Sequence, residues 1–92
     1  MGDGPTRQAR SHRPHDATLR FEYDSPTRAE TVASAVAQEV GEIDGDRSSA
    51  TVEREDEAVV VRVVADYLVA LRAGCHTWGS LVEVAERTSG LA

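Results

Sequence analysis

From Ala17 the chain alternates without a break: Ala17, Leu19, Phe21 and Tyr23 fall on one side, Thr18, Arg20 and Glu22 on the other. A period of two marks a half-buried strand. Ser25-Pro26 follows, pairing a capping hydroxyl with a proline at the first helical position, where the missing N–H costs nothing. Ala29, Val32, Ala33, Val36, Ala37 and Val40 then recur at helical spacing, so a helix of small side chains is expected to run out around Gly41. The polar stretch EIDGDRS reads as a loop, and SATVERE and DEAVVVRVVA as two strands joined by a charged turn around Glu55, Asp56 and Glu57. Asp66 is placed to cap a final helix beginning at Tyr67. The element order is β-α-β-β-α, an α+β fold in which a three-stranded antiparallel sheet carries two helices on one face.

The last strand and the last helix hold more apolar positions than one buried face needs. In AVVVRVVA, Val59, Val61 and Val63 can face the helices, which turns Val60 and Val64 to the other side with Arg62 between them. An antiparallel sheet backed by helices is ordinarily polar on its far side. Val60 and Val64 therefore suggest a cover from a second copy, a homodimer built through the sheet. In the final helix, Leu68, Leu71, Cys75, Trp78, Val82 and Ala85 form a bulky stripe for the core. Ala70, Ala73, Gly74, Thr77, Leu81 and Val84 lie beside it. Part of that second run is expected to meet the first helix, and its small members leave room for a partner helix. Gly74 and Gly79 each cost about 1 kcal/mol against alanine in a helix, a cost that close packing would explain for at least one of them, with ordinary tolerance of glycine as the alternative.

Length and charge narrow the function classes. Ninety-two residues with 40% hydrophobic content allow one small domain, set at residues 16–92, behind an arm at residues 1–15 rich in Gly, Pro and Arg. No run approaches a membrane span and no apolar leader opens the chain, so a cytoplasmic protein is expected. Acidic residues outnumber basic ones 16 to 10, every basic residue is arginine, and there is no asparagine, a pattern that suggests a GC-rich and salt-loving source. The imbalance is concentrated from Asp16 onward, where fifteen carboxylates meet seven arginines for a net of −8. Such a domain is ill suited to bind a phosphate backbone unaided, and Arg20 and Arg62 are the strand arginines that would carry a tRNA contact.

Candidate chemistry is thin. Cys75 and His76 are neighbours, and neighbours on a helix point about 100° apart, which prevents a nucleophile–base pair within one chain. The pair His12-x-x-His15 lacks a third ligand in the arm, and no glycine-rich phosphate loop follows a strand. No catalytic residue, metal site or cofactor is expected.

The stretch DYLVALRAGCHTW, Asp66 to Trp78, resembles the signature of the small Pcc-type subunit of the KEOPS complex, related to the eukaryotic LAGE and CTAG proteins. Asp66, Ala70, Leu71, Arg72, Ala73 and Trp78 match it, and His76-Thr77 stands where the family often has Asn-Ser. The aromatic strand, the Ser25-Pro26 helix start and the strand spacing extend the similarity over about residues 16–87. The resemblance implies an archaeal, non-catalytic scaffold that dimerises. It further implies helices that dock on the threonylcarbamoyl-transferase subunit of a complex modifying the tRNA adenosine beside the anticodon. Two other readings stand beside it: a KH-like RNA-binding module, for which Gly41 to Gly45 has the wrong spacing and position, and an acidic adaptor for an unrelated protein.

Overall fold

The computed structural model describes residues 13–40 and 48–88. In chain order the elements are β1 (His15–Glu22), α1 (Pro26–Ala37), β2 (Ser48–Glu55), β3 (Ala58–Ala65) and α2 (Leu68–Thr88). The strands form one antiparallel sheet in the order β1-β3-β2, with β3 in the middle. Both helices lie on the same face of it, as the pattern of apolar positions requires. Residues 1–12, most of the expected arm with His12, lie outside the described residues, as does the expected helix-ending Gly41.

Local chemistry accounts for the boundaries. Ser25 is extended, and its side-chain oxygen accepts from the Arg28 N–H at 3.2 Å, satisfying one of the unpaired donors of the first turn of α1. Pro26 begins the helix, as expected. The β2–β3 connection is only Asp56-Glu57, and Asp56 takes φ 57°, a left-handed backbone that aspartate tolerates better than most side chains.

Register places the sequence alternation in space. On the covered face the rows Leu19–Val61–Val52 and Ala17–Val63–Ala50 run under the helices, and Val59, Val61 and Val63 are fully buried. They meet Ala29, Val32 and Val36 of α1 and Trp78, Val82 and Ala85 of α2 in one core. At the rim, the Tyr23 hydroxyl donates to the Glu86 carboxylate at 2.5 Å and ties the end of β1 to the last turns of α2. Burial first, and then that carboxylate, raise the Tyr23 pKa above its ordinary value.

Four expectations need correction. β1 begins at His15, which pairs with Ala65, two residues ahead of the alternation that signals it. α2 begins at Leu68 rather than Tyr67; the Leu71 N–H donates to the Tyr67 carbonyl, and the Asp66 carboxylate pairs with Arg13 at 3.3 Å. Leu68, expected at the head of the core stripe, is exposed, because the strands all end in the row His15–Ala65–Ser48 and the first turn of α2 starts beyond it. Ala37, at the last turn of α1, is exposed as well.

Candidate protein interface

Two surfaces follow from this architecture: the outward side of α2 and the uncovered face of the sheet. Gly74 decides how close α2 sits. A Cβ built there would come 2.9 Å from the Val63 Cγ1, so the helix backbone rests on β3 at a distance only glycine allows. Gly79 is different, with open space where a Cβ would stand. Of the six small or apolar residues singled out beside the core stripe, Gly74 is thus buried and serves the chain's own packing. Leu81 is half-buried against the core, and with Val84 and Ala85 it lines a hollow shared with Ala35 and Val36 of α1 and with Glu39 just beyond it.

What remains outward is an apolar and small-residue row. Ala70 and Thr77 are half-buried, and Ala73 is exposed. Val69, Ala73, Thr77, Ser80 and Val84 recur at steps of four, four, three and four, which keeps them along one side of the helix. Val69 is 75% exposed and Val84 51%. Tyr67 and Leu68 add to this surface where the helix begins, both more than half exposed. Val69 was legible at helical spacing, since it lies only 40° from Ala73 on a helical projection, but a search for small residues passes it by.

The uncovered sheet face is polar with an apolar centre. Its rows read Glu22–Ala58–Glu55, Arg20–Val60–Glu53, Thr18–Arg62–Thr51 and Asp16–Val64–Ser49. Val60 and Val64 are half-buried and lie on this face, where the alternation puts them. Val60 and Arg62 border a shallow depression with Thr18, Thr51, Glu53 and Glu55. Neither Arg20 nor Arg62 is a free cation. Arg20 pairs with Glu22 at 2.8 Å and Glu55 at 3.2 Å, which raises its pKa, chiefly through the Glu22 hydrogen bond. Arg62 pairs with Asp16 at 2.7 Å.

Cys75 is half-buried against the core and His76 is exposed; both border an open hollow with Phe21, Gly79, Ser80 and Glu83. Among the described residues, no three His, Cys, Asp or Glu side chains come together in a way that could hold a metal ion. No helix among them is long and apolar enough to cross a membrane.

The described residues form a small helix-backed antiparallel sheet with an outward apolar helix edge. Residues 16–89 match the family model described as "Transcription factor Pcc1", and the chain belongs to the Pcc1 family. The same fold appears in a chain of the crystal structure of the binary complex Gon7-Pcc1, with a TM-score of 0.70 and 16% identity over 87% of this chain and 99% of that one. No curated protein matches the sequence.

Proposed function

We propose that this chain is a non-catalytic scaffold subunit of the KEOPS complex. In this reading it pairs with a second copy through Val60 and Val64, and docks on the threonylcarbamoyl-transferase subunit through the outward side of α2. It thereby supports threonylcarbamoyladenosine formation on tRNA. The observation that carries the reading is the row of Val69, Ala73, Thr77 and Val84, an apolar strip on a helix of an otherwise acidic domain. Small residues let helix backbones approach, and an exposed apolar row of this length marks a contact surface. Family membership and the likeness to a chain of a Gon7-Pcc1 complex support a role in assembly.

The family description also names a transcription factor, and a nucleic-acid contact through Arg20 and Arg62 is the competing use of the sheet face. The geometry favours protein contact. Arg13, Arg20, Arg28, Arg54 and Arg62 each sit in an ion pair with a carboxylate of the same chain, so phosphate would have to displace those partners. In this reading tRNA is met within the complex, not by the isolated subunit.

The test is Ala73→Arg. Ala73 is exposed, so an arginine there reaches water in the free protein and leaves the melting curve unchanged. In a helix-to-helix seam it is overpacked and its charge is desolvated, and affinity for the purified transferase subunit should fall at least about tenfold. Unchanged affinity with an unchanged melting curve would exclude this edge as the docking surface.

A further inference from the structure

The uncovered face carries a charge pattern that answers itself. Consider a second copy laid face to face about an axis along β3, so that β1 of one copy lies across β2 of the other. The Val60 row then sets Arg20 of each copy opposite Glu53 of the other, with valine on valine between them. The Val64 row sets Asp16 opposite Ser49, again with valine on valine. In the Thr18–Arg62–Thr51 row the two Arg62 side chains approach, each already held by its own Asp16. This pattern of cation, valine and anion across one row is what points to a copy of the same chain rather than to a polyanion.

One row opposes the arrangement. Glu22–Ala58–Glu55 has a carboxylate at both ends, so the two copies bring four carboxylates together beside the hairpin turn. Arg20 is the counter-charge of both Glu22 and Glu55 within a copy, and it is also the cation the Val60 row needs for Glu53 of the other copy. It cannot fully serve all three. The face as a whole, with Asp16, Arg20, Glu22, Glu53, Glu55 and Arg62, sums to −2 per copy.

Resting on the homodimer reading above, we propose that pairing of two copies through this face is gated by ionic strength, with Glu22 and Glu55 holding the copies apart at low salt. Packed sheets lie about 10 Å apart, which is comparable to the Debye length of about 10 Å at 0.1 M salt and well beyond the roughly 3 Å at 1 M. Repulsion across the hairpin-end row is therefore felt at low salt and screened at high salt. Burial of Val60 and Val64 is not weakened by the same change.

Sedimentation of the full chain across about 0.1 to 1 M KCl, with circular dichroism at each step to show that it stays folded, tests this directly. The dimer dissociation constant should fall at least about tenfold over that range, and Glu22→Gln with Glu55→Gln should give, at low salt, the affinity the unaltered chain reaches only at high salt. A salt-independent dimer, or a double variant that keeps the full salt dependence, would overturn the gate and leave the dimer standing. A folded monomer at every salt would overturn both. Val60→Asp should be monomeric throughout, and a variant that dimerises as the unaltered chain does would move the contact to another surface and overturn the gate with it.

Discussion

The two faces of β3 have nearly the same composition and opposite physics. Val59, Val61 and Val63 are fully buried beneath the helices, whereas Val60 and Val64, one residue away each time, are half-buried among Arg20, Glu53, Asp16 and Ser49. The same side chain is structural on one face and available on the other. A strand can thus serve stability and association with a single sequence, and substitutions on alternate residues should separate the two.

The largest separation is expected at the core. Trp78 is 2% exposed, and Trp78→Ala should cost about 3–5 kcal/mol in urea unfolding of the free chain, close to the whole stability of a domain this small. Val64→Ser on the open face should stay within about 0.5 kcal/mol in the same assay, measured below the dimer concentration. A comparable loss at both positions would mean that the open face is already part of the monomer's core.

A second contrast lies within α2. Gly74→Ala pushes a methyl group onto the Val63 Cγ1 and should lose about 1–3 kcal/mol, while Gly79→Ala meets open space and should gain up to about 1 kcal/mol from helix propensity. Thermal melts of the two single variants decide it: shifts of the same sign would show that the 2.9 Å approach does not set the seat of the helix.

The smallest effect is at the rim of the covered face. Tyr23 has a raised pKa in the folded chain, so the stability its phenol contributes is intact below the ordinary tyrosine value of 10.0 and drains as the pH climbs beyond it. Tyr23→Phe should lose about 1 kcal/mol at neutral pH and show a flatter alkaline limb above pH 10 than the unaltered chain. An identical alkaline limb in the two proteins would assign that loss to other groups.

Much of this was legible in the sequence, and the reasons differ by element. Alternation in β1 and β3, the Ser25-Pro26 start and the helical spacing of α1 are local signals, and local geometry bore them out. The outward lean of Val60 and Val64 followed from parity alone. The exposure of Leu68 did not, because it depends on where the sheet ends beneath the helix. The Arg20–Glu55 and Arg62–Asp16 pairs were equally hidden, because the order β1-β3-β2 sets them and no window of sequence contains it; only Arg20–Glu22, two residues apart on β1, is local. Within the second run of α2, spacing could not tell Gly74, buried on Val63, from Ala73, exposed.

The central place of β3 also fixes an order of events during folding. The strand that every other strand needs is the last to be made. β2 and β3 are joined by a two-residue turn and can zip up locally, a step of about 1–10 μs for a hairpin. β1 must wait, since its partners run from Ala58 to Ala65 across the whole intervening helix and strand. As the chain emerges from the ribosome, β1 and α1 therefore spend their first moments with no sheet to join, and the closing of that long loop is the expected slow step. A chain stopped before Ala58 has nothing to assemble on.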